Sequence, residues 1–162
     1  MGVYAVSSLV AILGSFVKVT GFVSTFDKPT DLEDVATLVL QTESGAIVTA
    51  ETSWCDPART SEGSIHGTAG KFTLPGQGGA AVSLHRPTSY TREHAPVEVQ
   101  SVDCSDSDPG NMHQHFADHI RSGKQPPLSN AQSARHVTEI MLSGMESSRL
   151  GKSINLQTRV AH

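Results

Sequence analysis

The sequence predicts an α+β domain: an open-faced, predominantly antiparallel sheet with helices packed on one face. Three observations carry that expectation. An apolar segment at helical spacing opens the chain, alternating segments separated by glycine turns fill its middle, and two amphipathic segments close it. Helices bracket the strands instead of alternating with them, which argues against a parallel α/β sheet.

The first helix is expected from Met1 to Leu13, with Val3, Val6, Leu9, Val10 and Leu13 on one stripe and Gly14 as its stop. From Val17 to Phe26 side chains alternate as in a half-buried strand, until Asp27-Lys-Pro-Thr breaks the pattern. Val35–Thr42 and Ala46–Trp54 flank Glu43-Ser-Gly45, a hairpin link. The segment Gly63–Leu74 reads as two short strands around Gly67 to Gly70, and further strands follow at Ala81–His85 and Val97–Val102, after a Gly76–Gly79 loop and a loop holding Tyr90. The middle is therefore a meander. The period then changes: Met112, Phe116 and Ile120 stand four apart before Gly123, Pro126 and Pro127. A last helix is expected to open on a capping box, Ser129 with Gln132, to bury Ala134, Val137, Met141, Met145 and Ser148, and to end at Gly151.

The chain has 162 residues, 37% of them apolar, which suits a single domain over 1–162 that buries roughly 70% of its unfolded surface. A formal charge of −4 and no basic run argue against nucleic acid and acidic membranes as partners. Cys55 and Cys104 lack neighbours at zinc-ligand spacing and read as free thiols in a reducing compartment. The apolar start has no positively charged flank and is broken by Ser7, Ser8, Gly14, Ser15 and Lys18, so it reads as neither signal peptide nor anchor. A cytoplasmic location is expected. His115 and His119, one turn apart beside Asp118 and near His113, have chelating spacing, yet no third ligand is specified. The expectation is a solvated face and no metal.

Three blocks carry a resemblance: the helix around Tyr4, the hairpin Ile65-His-Gly-Thr-Ala-Gly-Lys-Phe-Thr-Leu, and Phe116-Ala-Asp-His-Ile-Arg-Ser-Gly-Lys-Gln-Pro-Pro through Glu146-Ser-Ser-Arg-Leu-Gly-Lys. In that order they resemble the C-terminal domain of the glucose-fructose oxidoreductase, inositol dehydrogenase and MocA (Gfo/Idh/MocA) family, whose sheet is of the dihydrodipicolinate-reductase-like kind. The resemblance implies that Tyr4 stands at the family's His/Tyr acid-base position and Ser7 at its Asp/Asn position, where it could hold a sugar hydroxyl. The family's nucleotide-binding domain, with its lysine and glycine fingerprint, is absent from these residues. Phe26-Asp-Lys-Pro29 imitates the lysine motif in letters only, and Gly76-Gln-Gly-Gly79 opens no helix. Trp54 at a strand end is a candidate to stack on a sugar ring.

The resemblance therefore implies the substrate-binding and oligomerisation half of an NAD(P)-dependent sugar or polyol oxidoreductase, not redox-active alone. Within this chain no cofactor site is expected; NAD(P) enters only with a separate Rossmann-domain partner. The other partners implied are a sugar-like small molecule and a second copy in a homodimer or higher homo-oligomer through the sheet face. The alternative is a cofactor-independent acid-base enzyme (isomerase, epimerase or cyclase) or a binding module on the same fold.

Overall fold

The computed structural model describes residues 2–57, 62–74, 81–88, 96–103 and 111–160. Gly76–Gly79, Tyr90 and Cys104 lie outside them. The chain divides into two compact units, 1–56 with 122–162, and 57–121.

In the first unit, α1 (Gly2–Leu13) leads into β1 (Phe16–Ser24), β2 (Val35–Thr42) and β3 (Ile47–Ser53); α3 (Ala131–Leu150) and the two-residue β8 (Ile154–Asn155) return from the C-terminal part. The sheet order is β3-β2-β1-β8, antiparallel throughout. Glu43-Ser-Gly45 makes the expected hairpin, with Gly45 at φ 89°, a left-handed backbone that favours glycine. A bulge between Phe16 and Lys18 places both Phe16 and Val19 on the inner face, although they are three residues apart. Val6 and Val10 of α1, Val137 and Ile140 of α3, and Val19, Leu38, Leu40 and Ala50 of the sheet form one core. Leu9 and Leu13 pack against it, while Val3 of the expected stripe is exposed. The other face carries Thr20, Phe22, Thr37, Val39, Thr49 and Glu51, in register across three strands.

Helix α3 lies unusually close to β1. A Cβ on Gly21 would sit 2.1 Å from the Gly144 carbonyl oxygen, so only glycine fits there. Beyond Val19, β1 has outrun its short partner β8, and α3 completes its edge: the Gly21 N–H donates to Ser147 Oγ at 3.0 Å and the Val23 N–H to Ser148 Oγ at 3.1 Å.

The last helix departs from expectation in two ways. Its N-cap is Asn130, not Ser129: Asn130 Oδ1 accepts from the Ser133 N–H at 2.9 Å while its Nδ2 donates to the Pro126 and Pro127 carbonyls. An amide offers an acceptor and two donors at once, which a serine hydroxyl cannot. The buried stripe is His136, Val137, Ile140, Gly144 and Ser147, rotated from the expected one, and Met145 is exposed. Gly151 ends the helix in the left-handed conformation, as expected.

In the second unit, β4 (Gly63–Gly67), β5 (Gly70–Leu74), β6 (Ser83–Pro87) and β7 (Val97–Ser101) form an antiparallel meander in that order. Helix α2 (Met112–Ser122) follows, with Met112, Phe116 and Ile120 all exposed. The class is α+β and antiparallel as expected, with the strands shared between two four-stranded sheets. No helix among the described residues is long and apolar enough to cross a membrane.

Candidate functional site

The first turns of α1 carry the residues singled out by sequence. Because Val6 and Val10 face the core, Tyr4 falls on the opposite side of the helix and is 75% exposed. Ser7 is also exposed, and its Oγ donates back to the Tyr4 carbonyl at 3.1 Å. Trp54 lies elsewhere. It directly follows β3, its N–H donates to the Asp34 carbonyl at 2.8 Å, and its side chain is 60% exposed.

Trp54 borders a cleft of about 170 Å³ on the helix-covered side of the first unit's sheet, whose lining includes Gly2 and Val6 of α1, Leu38 and Ala50 of the sheet, and Met141 of α3. Glu33, Asp34 and Thr52 also line it; Tyr4 and Ser7 do not. The sequence-predicted residues thus occupy two places, Tyr4 with Ser7 on the outer side of α1, and Trp54 at the cleft.

Asp34 organises the cleft's rim. The N–H groups of Lys28 and Asp27, both at 2.8 Å, and of Phe26 at 2.7 Å donate to its carboxylate and hold it well below the usual carboxylate range, against the opposing effect of burial. The Cys55 thiol donates to Asp34 as well; burial, then this carboxylate, push that thiol up and away from nucleophilic use. Lys28 is therefore part of a loop wrapped round Asp34, its ammonium paired with Asp27 at 3.2 Å.

A second polar centre left no signal in the sequence pattern. His136 is wholly buried on α3; its Nε2 accepts the Phe16 N–H at 3.0 Å, and its Nδ1 lies 2.8 Å from Thr158 Oγ1. Nε2 must then be unprotonated, so Nδ1–H donates to Thr158, whose hydroxyl donates to Glu139. Glu139 also accepts the Gln157 and Thr158 N–H groups, which fastens the C-terminal segment to α3. His136 is closed to solvent while Glu139 and Thr158 are half-buried, and the bonds of the centre tie β1 and the C-terminal segment to α3. On α2, His115 and His119 stack edge to face at 4.5 Å, and among the described residues no three potential ligands stand together for a metal.

Residues 1–73 match the family model of the GFO/IDH/MocA C-terminal domain. The match is confined to that stretch, which holds α1 and the strands β1 to β4. Solved structures like the whole chain include levoglucosan dehydrogenase in complex with NADH and levoglucosan, at 14% identity and a TM-score of 0.78 over 98% of this chain and 49% of that one. An oxidoreductase from Agrobacterium radiobacter in complex with NAD+, L-tartaric acid and magnesium matches at 19% identity and 0.72, over 96% and 47%. Aldose-aldose oxidoreductase from Caulobacter crescentus complexed with glycerol matches at 14% and 0.72, over 96% and 46%. At such identities the likeness is one of fold, and the chain spans about half the length of each of these proteins. No curated protein matches the chain.

Proposed function

We propose that the chain is the substrate-binding and oligomerisation half of an NAD(P)-dependent sugar or polyol oxidoreductase, with Tyr4 exchanging the proton of the reacting hydroxyl. The observation that carries this reading is the exposed ring of Tyr4, held out from α1, at the residue that the sequence resemblance aligns with the family's acid-base position. The overlap with half of enzymes solved with NADH or NAD+ supports it. None of the described helices, opening at Gly2, Met112 and Ala131, follows a G-x-G-x-x-G turn in the sequence, so these residues do not fit a dinucleotide. Hydride transfer belongs to a nicotinamide held by a domain outside them.

This chain's part is then to bind and to move a proton. A phenol ordinarily ionises near pH 10, so its work at neutral pH requires a neighbouring cation from the nucleotide-binding domain. Ser7, one turn along α1, donates its hydroxyl proton to the Tyr4 carbonyl and keeps its oxygen lone pairs to accept from a second hydroxyl of the substrate. The test combines the chain with a family nucleotide-binding domain and follows NADH formation from levoglucosan or myo-inositol. Tyr4→Phe is expected to lower kcat by about 10²-fold or more with an unchanged melting temperature, because the exposed ring supports no core. Full activity of Tyr4→Phe refutes the role.

A further inference from the structure

We infer that the cleft beside Trp54 is a binding site for a small cyclic polyol, separate from Tyr4, with Trp54 as the stacking surface and Glu33 and Thr52 as the hydroxyl partners. The choice of ligand class rests on the sugar oxidoreductase reading above; the location does not.

The cleft has two kinds of wall. Val6, Leu38, Ala50 and Met141 line it with apolar side chains, and Trp54, Thr52 and Glu33, which carry polar groups, line it as well. The Trp54 indole N–H, the Thr52 hydroxyl and the Glu33 carboxylate make no hydrogen bond to another described residue, and Trp54 and Glu33 are exposed. Asp34, the neighbouring carboxylate, differs: three backbone N–H groups and the Cys55 thiol saturate it. Asp34 therefore shapes the loop, and Glu33 is left with its acceptor oxygens available.

These groups select among ligands. A hydrocarbon would cover the apolar lining but strip water from Glu33 without replacing it, which costs several kcal/mol. An anion would meet Glu33 and a chain of net charge −4. An ammonium could pair with Glu33 but offers no acceptor to the indole N–H or the Thr52 hydroxyl. A cyclic polyol satisfies all of them: ring carbons lie on the indole and the apolar lining, and hydroxyls both donate to Glu33 and accept from Thr52 and Trp54. A volume of about 170 Å³ equals about five or six waters at roughly 30 Å³ each, room for one ring and not for a chain of sugars.

Trp54 is the sole tryptophan, so emission excited selectively in tryptophan, beyond the absorption of Tyr4 and Tyr90, reports on this cleft. Titration with myo-inositol and with levoglucosan is expected to change that emission saturably, with half-saturation on the order of millimolar. Glu33→Gln should weaken binding about tenfold and Thr52→Val about threefold or more, while Thr52→Ser, which keeps the hydroxyl, restores it. Tyr4→Phe should leave the titration unchanged. Emission that never saturates, or Glu33→Gln and Thr52→Val chains that titrate like the parent, overturn the site. Should Tyr4→Phe abolish binding, the ring sits at Tyr4 and the cleft assignment falls while the oxidoreductase reading stands. If Tyr4→Phe instead turns over like the parent while the Trp54 titration stays intact, the proton-transfer role of Tyr4 falls and the cleft stands.

Discussion

At the residue scale, His136 ties protonation to stability. Burial lowers its pKa from 6.5; the Glu139 carboxylate opposes that shift and the Arg159 guanidinium adds to it. A depressed histidine binds its proton more readily when unfolded, so stability is full above 6.5 and falls as pH drops toward the lowered folded value, by at most about 1.4 kcal/mol per pH unit. The carboxylates act in a lower window. Burial opposes the shift of Glu139, but its hydrogen bonds from Thr158 and from the Gln157 and Thr158 N–H groups hold it below 4.5, and backbone N–H groups led by that of Lys28 hold Asp34 below 3.8. Their contribution is complete above those values and is lost as pH falls through and below them. Urea denaturation at about pH 7.5 and about pH 5.5 should therefore show a drop assignable to His136. His136→Phe should abolish that drop and cost about 2–4 kcal/mol, because the Phe16 N–H and the Thr158 hydroxyl lose their buried partner. A His136→Phe chain with the parent's pH dependence would place the titrating group elsewhere.

Between elements, the union of β1 with α3 rests on small and polar residues, and this also marks how far the sequence could be read. Ser147 Oγ accepts the Gly21 N–H and donates to the Lys152 carbonyl at 2.6 Å, so the Ser-x-x-x-Gly-Lys ending of α3 caps a sheet edge and closes its own helix. Ser147→Ala is expected to cost about 1–3 kcal/mol by leaving that buried N–H unpaired, whereas Ser148→Ala, at a part-buried position, should cost less; denaturant midpoints compare the two. The strands, the hairpin at Gly45 and the helix stops at Gly123 and Gly151 were legible because alternation and glycine punctuation are local signals. The buried stripe of α3 was not, since three of its five residues are His136, Gly144 and Ser147, buried for a hydrogen bond or a close approach that no hydrophobic period announces. Likewise Tyr4 and Trp54 stood out by type, while Glu33 and Thr52 became visible only when the fold brought the loop before β2 beside the end of β3. The allocation of strands to two sheets depends on long-range pairing and left no mark in the sequence.

For the whole molecule, the proposed association rests on the open face of the first unit's sheet. α1 and α3 both cover the inner face, whereas the outer one presents Phe22, 66% exposed, in register with Thr37 and Glu51, and beside them Thr20, Val39 and Thr49. Mixed aliphatic, aromatic and threonine surface of this kind is what two copies can share about a two-fold axis, and a stable pairing should bury more than about 1,000 Å². Light scattering at micromolar concentration is expected to report at least a dimer. Phe22→Glu should shift it to monomer, since a carboxylate two strands from Glu51, across Thr37, and facing its own copy would be desolvated without a partner. The same substitution should leave the melting temperature of the monomer little changed, because Phe22 contributes nothing to the inner core. It should also leave the Trp54 titration intact, as the cleft is on the sheet's other side. A chain that stays monomeric before any substitution would instead leave this face to another partner and remove oligomerisation from the proposed role.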